Sequence, residues 1–194
     1  MARRSDHTKE ELKELAIGAG YELIDKKGFS EFSARQVAAD MGYTVGTLYN
    51  VFGSLELFML HIHARTLDEL YEQLTQGLKR SKSDHLHFLA RAYISFARKN
   101  YKRWTALFDY NTSENAFPDW YAEKLNKLFG LVEEALLPYI KNDQAKARQT
   151  AKILWASIHG ICVLSLSGKL DKVGSEKVEV FVNSLLETYM KGLE

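Results

Sequence analysis

The chain has 194 residues, of which 46% are apolar and 26% charged, a composition that excludes intrinsic disorder and suits one folded unit or two small ones. Its 26 basic and 25 acidic side chains give a net charge of +1. This balance excludes a protein that binds nucleic acid through a uniformly cationic surface, so any contact with nucleic acid must be local.

The N-terminus and the cysteine content predict a cytoplasmic protein. Cys162 is the single cysteine and cannot form an internal disulfide, so a reducing compartment is the simplest interpretation. Residues 1–7 are polar and charged, with no apolar segment behind them that would resemble a secretory signal. Uninterrupted apolar runs such as 161–164 are far shorter than the ~20 residues that span a bilayer. We therefore expect neither secretion nor membrane insertion.

Apolar residues recur at helical spacing, and the predicted fold class is all-α. The first helix is expected to begin at Thr8, which forms a capping box with Glu11, and to end at Gly28. Its predicted buried stripe consists of Leu12, Leu15, Ala16, Ala19 and Leu23. A second capping box, at 33–36, opens a short helix that ends at Gly42.

A third short helix is predicted over 45–52 with Thr44 as its cap, and Ser54 is expected to cap a long fourth helix that ends near Lys79. A polar joint follows at 79–84. Residues 86–129 then hold 11 of the 23 aromatic residues. Pro138 is expected to end or kink a later helix, and two final helices are predicted at 143–168 and 175–193. The predicted total is about nine helices.

The segment 32–52 has the spacing of a helix-turn-helix, in which the second helix presents its N-terminal side chains to the major groove. Leu48, Val51 and Phe52 would point inward from the third helix. The outward residues would then be Val45, Gly46, Thr47, Tyr49 and Asn50. Hydroxyls at Thr44 and Thr47 suit phosphate or base contacts, and an asparagine amide suits adenine.

The order of residues 32–52, with its Val-Ala pair, Gly turn and Gly-Thr-Leu-Tyr-x-x-Phe run, closely resembles the DNA-binding head of the tetracycline-repressor-like (TetR) family. Residues 8 to about 60 carry this resemblance. Trp155 followed by His159-Gly160 is similar to a signature of one C-terminal branch of the family. The resemblance implies a DNA-binding head at 1–54, followed by a helical effector-binding and dimerisation domain at 55–194.

Carried over residue by residue, the resemblance implies a set of DNA contacts. They are Ser33, Arg35, Thr44, Val45, Gly46, Thr47, Tyr49 and Asn50. One departure is Leu55, which stands where family members usually have a lysine, so one phosphate contact is expected to be missing. Residues 1–54 carry 7 basic and 8 acidic side chains, and an arm containing Arg3 and Arg4 is expected to recover some affinity along the duplex.

Two further sets of residues are predicted from the remaining aromatic and apolar side chains. An effector pocket is expected from Tyr93, Phe96, Trp104, Phe108, Trp120 and Tyr121, which would favour an apolar or aromatic compound. Apolar stripes on the last two helices predict a homodimer interface. Its members are Trp155, Ile158, His159, Cys162, Phe181, Leu185 and Tyr189.

No catalytic motif or metal-ligand spacing stands out, so neither an enzyme nor a cofactor is expected. The pairs His61/His63 and His85/His87 are two residues apart and diverge on a helix, which disfavours a shared ion. The leading hypothesis is a transcriptional repressor that a small effector releases from a near-palindromic DNA operator. Two alternatives remain: an effector-independent DNA-binding protein, and a helical small-molecule binding protein or enzyme with a vestigial helix-turn-helix.

Overall fold

The computed structural model describes residues 7–81, 84–110, 117–172 and 177–193. Over these ranges the chain forms nine α-helices and no strand, which confirms the predicted all-α fold. The helices are α1 (Lys9–Lys27), α2 (Ala34–Asp40), α3 (Val45–Phe52), α4 (Leu55–Leu78), α5 (His85–Lys99), α6 (Tyr101–Asp109), α7 (Asp119–Leu136), α8 (Gln144–Leu166) and α9 (Val178–Lys191).

Side-chain caps set most of the helix boundaries that the sequence predicts. The Thr8 hydroxyl accepts a hydrogen bond from the Glu11 amide, and the Glu11 carboxylate accepts one from the Thr8 amide at 2.6 Å. At the start of α4 the Ser54 hydroxyl accepts from the Leu57 amide at 3.0 Å. Pro138 follows the end of α7 within a short 3-10 turn. The helix termini that depend on these local contacts therefore form where the sequence predicts them.

Three local predictions are wrong in detail. Thr44 stands at the N-cap of α3, but its hydroxyl lies 3.3 Å from that of Thr47 and makes no cap bond. The Gln36 side chain accepts from Lys27 across the surface, so the second capping box is only half formed. Leu15 is 45% exposed because α1 turns the face containing Ile17, Gly20, Tyr21 and Ile24 toward the core. The predicted start of the last helix, Ser175, lies outside the described residues.

The helices pack into two compact units. The first unit comprises the described parts of 1–68 and 100–121, and the second those of 69–99 and 122–194. Helix α4 contributes residues to both. This packing division differs from the functional division after residue 54, which stays a prediction.

The core of the first unit is formed by α1, α2, α3, the beginning of α4 and part of α6. A side-chain carbon at Gly20 would lie 2.5 Å from Ile62 Cδ1, so the glycine allows α1 and α4 to approach closely. The Tyr21 ring has the guanidinium carbons of Arg65 and Arg103 each 4.5 Å from its centre. Arg103 also pairs with Asp25 at 2.8 Å, which ties α6 to α1.

The second unit buries one face of α8 and α9 against α5. Its fully covered side chains include Leu154, Cys162, Val182 and Leu186. The Tyr93 hydroxyl on α5 is hydrogen-bonded to His159 Nδ1 on α8 at 2.9 Å. Within the described ranges, no one helix has the length and apolarity to cross a bilayer, and the α3–α4 pair, bent by 77°, meets that test by length and composition only.

His63 makes the first unit sensitive to acid. The side chain is buried, and its Nε2 has no hydrogen-bond partner in the described residues. Burial lowers the pKa of His63 from its usual 6.5 to about 4. Between pH 6.5 and 4 the imidazole of His63 is therefore protonated in the unfolded chain but not in the folded chain. The free energy of unfolding consequently decreases as pH falls from 6.5 toward 4.

We expect His63→Leu to remove this loss. Between pH 7 and pH 4.5, the free energy of unfolding of the unsubstituted protein should fall by about 2 kcal/mol more than that of the variant. Urea titrations monitored by circular dichroism at both pH values measure the difference. Parallel pH dependence in the two proteins would show that His63 is not the cause.

Candidate nucleic-acid interface

A tight corner joins α2 to α3. The chain reverses at Gly42, whose φ of +75° is a conformation that residues with a side chain rarely adopt. The Tyr43 amide then donates to the Ala38 carbonyl at 2.8 Å, and the Gly42 amide donates to that of Ala39 at 2.9 Å. The corner thus has its own backbone hydrogen bonds and sets the direction in which α3 leaves.

The inner edge of α3 is anchored in the core of the first unit. Leu48 and Phe52 are 4% and 6% exposed. The Phe52 ring centre lies 4.6 Å from that of Phe58 on α4, which is itself buried. Close packing of this kind holds the helix in one orientation.

The outer edge of α3 is open within this unit. Tyr49 is 46% exposed, and Thr44, Gly46 and Asn50 are also exposed, while Val45 and Thr47 are half-buried. These six residues lie on one short helix and its cap. Val45 packs partly against the core of the unit, and the other five lie together on a surface that bases or phosphates could reach.

The two remaining predicted DNA contacts lie at the start of α2. Ser33 is its N-cap, and its hydroxyl accepts from the Gln36 amide at 3.4 Å. Arg35 is exposed. Leu55, at the position where a lysine was expected from the resemblance, is 38% exposed and carries no charge. The predicted arm at Arg3 and Arg4 lies outside the described residues.

Sequence reasoning missed the contribution of Tyr43. Its hydroxyl is 2.7 Å from His7 Nδ1, so it connects the residue before the N-cap of α1 to the corner between α2 and α3. The only signal in the sequence was a tyrosine directly after the turn glycine. This bond joins the beginning of the described chain to the base of the candidate interface.

A different face of the same unit is acidic and unsuited to a duplex. An open groove of about 1050 Å³ lies along α1 and α2. Its lining includes the carboxylates of Glu10, Glu11, Glu14, Glu22 and Asp40. Lys26, which also lines it, is paired with Glu22 at 3.0 Å. Like charges would repel phosphates here, which favours the α3 edge as the contact surface.

The predicted effector residues fall into both units. Tyr93 and Phe96 belong to the second unit. The other four, Trp104, Phe108, Trp120 and Tyr121, belong to the first. Phe96, Trp104 and Tyr121 have almost no accessible surface, and burial raises the pKa of Tyr121 to about 12. Tyr93 and Trp120 are half-buried and Phe108 is exposed, and the pocket stays a prediction.

The predicted dimer residues divide by exposure. Ile158 and Cys162 are buried inside the second unit and belong to its core, so they are not on the surface of a single chain. Trp155 is partly exposed and stacks with His159, whose pKa is lowered by burial. Phe181, Leu185 and Tyr189 are half-buried. The exposed apolar residues that the prediction omitted are Ile153, Val163, Leu164 and Val180.

The described residues offer little support for metal binding or for a reactive thiol. No three His, Cys, Asp or Glu side chains there come together as metal ligands. His61 and His63 point to different surroundings: His61 stacks on Trp120 at 4.4 Å, whereas His63 meets the edge of Tyr110. Burial raises the pKa of the Cys162 thiol to about 11, which leaves it protonated and unreactive at neutral pH.

An anchored short helix with an exposed outer edge, set after a glycine corner in an all-helical chain, defines a helix-turn-helix regulator of transcription. Residues 16–58 match the profile described as "Bacterial regulatory proteins, tetR family", and residues 86–189 match "Tetracyclin repressor-like, C-terminal domain". The chain belongs to the TetR family of transcriptional regulators.

Individual relatives are distant. The chain is 24% identical, over 86% of its length and 75% of the relative, to "Uncharacterized HTH-type transcriptional regulator Rv0681" of Mycobacterium tuberculosis. A protein of unknown function from Rhodococcus sp. RHA1 shares its fold with a TM-score of 0.73, at 20% identity over 99% of both chains. FadR from Bacillus subtilis in complex with stearoyl-CoA has a TM-score of 0.62 at 15% identity, over 93% of this chain and 99% of FadR.

Proposed function

We propose that the protein is a cytoplasmic repressor that binds a near-palindromic operator as a homodimer and is released by a small, largely apolar or aromatic effector. The observation that carries the proposal is the exposed edge of α3, Thr44 to Asn50, held from behind by Leu48 and Phe52. A dimer would place two such edges in successive major grooves, about one helical turn apart.

Each residue of the edge has a chemical role in this proposal. The hydroxyls of Thr44 and Thr47 donate to phosphate or base oxygens, and the Asn50 amide pairs with adenine. Tyr49 contributes a phenol and an apolar ring to the groove wall. Gly46 lets the backbone approach the duplex. Ser33 and Arg35, at the start of α2, contact the phosphates of the adjacent strand.

A series of ring contacts in the first unit supplies a route for release. Trp120, at the beginning of α7, stacks on His61 of α4 with the rings 9° from parallel. The His61 ring is 5.5 Å from Phe52, one of the anchors of α3. An effector that displaces Trp120 would therefore disturb the packing behind the recognition edge. Its influence is limited by the difference between its affinities for the two states.

Exposed apolar residues on α8 and α9 support the homodimer. Ile153 and Leu164, which are 11 residues apart and so lie on one face of α8, and Val180 on α9 would be covered by a second copy of the same surface. In a two-fold dimer each copy presents the same patch, which fits the two-fold symmetry of a palindromic operator. The complex of FadR with stearoyl-CoA supports effector binding in a related fold.

The burial of Phe96, Trp104 and Tyr121, three of the six predicted pocket residues, favours a second candidate, an effector-independent DNA-binding protein. The two candidates differ in their response to small molecules. A compound that raises the melting temperature and weakens DNA binding would establish the effector, because a ligand stabilises the state that it binds. A broad chemical library that shifts neither quantity would favour the second candidate.

Selection of duplexes from a random pool by the purified full-length protein tests DNA recognition itself. We expect enrichment of a near-palindrome whose half-sites are about 10 base pairs apart from centre to centre. Affinity for the enriched duplex should fall steeply between 50 and 200 mM salt, as phosphate contacts require. A pool that remains random after repeated rounds would contradict the proposal.

A further inference from the structure

A cationic groove lies on the second unit, between the end of α4 and the side of α5 that contains Phe88 and Ser95. Its volume is about 440 Å³. The described polar side chains that line it are Arg80, Arg91, Gln73, Gln76 and Ser95, and none of the described lining residues is a carboxylate. The groove therefore combines two positive charges with three neutral hydrogen-bonding groups.

Both guanidinium groups are available to a ligand. Arg80 and Arg91 are exposed, and neither guanidinium forms an ion pair or a hydrogen bond with a described residue. The charge of Arg91 acts on the Asp84 carboxylate by electrostatic attraction. Asp84 is itself engaged, because its Oδ1 lies 2.8 Å from His87 Nδ1. Arg91 is thus left without a dedicated partner in this part of the chain.

The shape of the groove depends on a glycine. A side-chain carbon at Gly77 would lie 2.1 Å from the Phe88 ring, so only glycine lets this ring press against the backbone of α4. The half-buried ring and Ala92 form the apolar part of the lining. The helices consequently meet closely here, and the arginines stand at the sides of a defined depression.

We infer that this groove binds the phosphoryl group of a small phosphorylated compound. A guanidinium presents paired donors that match two phosphate oxygens, and two of them balance the double negative charge of a phosphate monoester. The amides of Gln73 and Gln76 can hydrogen-bond the remaining oxygens or the organic part, and Phe88 offers an apolar contact to it. This site is separate from operator recognition and from the proposed apolar effector.

Phenyl phosphate and benzoate are matched probes, because they share a ring and differ in the anionic group. Calorimetric titration of the full-length protein at constant ionic strength should show saturable binding of phenyl phosphate and at least tenfold weaker binding of benzoate. Inorganic phosphate is the third probe. Affinity equal to that of phenyl phosphate would identify free phosphate as the ligand, and weaker affinity would identify an organic phosphate.

Arg80→Gln and Arg91→Gln should each weaken phenyl phosphate binding at least tenfold. Lys79→Gln is the control, since Lys79 is exposed, adjacent and absent from the lining. Absence of saturable binding, an equal loss in the control, or equal affinity for benzoate would overturn the inference. Duplex affinity should be unchanged in both arginine variants, and its loss would assign the arginines to DNA instead. Far-UV circular dichroism verifies that each variant folds.

Discussion

Replacing Thr47 and Tyr49 together by alanine is expected to weaken binding to the selected operator by about 30-fold or more. Tyr49 is exposed and Thr47 is half-buried on the edge of α3. Each good contact to a base contributes ~1 to 3 kcal/mol of discrimination, so the pair should cost at least about 2 kcal/mol. The thermal unfolding midpoint should hardly change, because neither side chain belongs to the core. Fluorescence anisotropy with labelled operator measures the affinity.

Tyr101→Ala provides a matched control. Tyr101 lies on α6 of the same unit and is 44% exposed, close to the 46% of Tyr49. Its removal should leave operator affinity unchanged. Equal losses from the control and from the Thr47/Tyr49 variant would mean that general surface properties, rather than the edge of α3, govern binding. Full affinity in the folded double variant would refute the recognition residues.

Phe52→Ala is expected to have the largest effect on stability. The side chain is almost fully buried between Phe58 and His61, and a buried phenylalanine reduced to alanine typically costs ~3 to 5 kcal/mol through lost burial and the cavity left behind. The first unit should therefore unfold at a markedly lower urea concentration. Operator affinity should fall with it, since α3 loses its anchor.

Phe108→Ala is the comparison for this variant, because Phe108 is 39% exposed in the same unit. It should lower the free energy of unfolding by only about 1 kcal/mol, in keeping with its smaller buried surface. Urea titrations of the two variants at pH 7 give both values. A loss below 1 kcal/mol for Phe52→Ala would show that α3 is not held by the packing described above.

Helix boundaries were predictable wherever they depend on a few neighbouring residues. Three helices begin as predicted because a capping side chain acts within one turn of the chain: Thr8 with Glu11, Ser33 and Ser54. Pro138 likewise follows the end of a helix within one turn. The inward direction of Leu48 and Phe52 was predictable for the same reason. An eight-residue helix packed on one side of a folded unit has one face to bury.

Features that depend on distant packing were not predictable. Leu15 has the right spacing for the core of α1, but the contact of Gly20 with Ile62 on α4 rotates it into solvent. The ring stack of His61 on Trp120 joins residues 59 positions apart in the sequence. The density of aromatic residues in 86–129 does not indicate that Phe96 and Trp104 are buried whereas Phe108 is exposed. The hydrophobic periodicity of the sequence alone does not indicate any of these contacts.

Protection of an introduced cysteine from alkylation by bound operator tests most directly whether the outer edge of α3 contacts DNA. Cys162 is buried and its pKa is raised to about 11, so a cysteine placed at an exposed position becomes the reactive thiol of the chain. Asn50→Cys puts that thiol on the outer edge of α3, and Tyr101→Cys puts it on α6 as the control. Saturating operator should slow alkylation of Asn50→Cys at least tenfold and leave Tyr101→Cys unchanged. Unaltered alkylation of Asn50→Cys at full occupancy would place the duplex elsewhere and contradict the account.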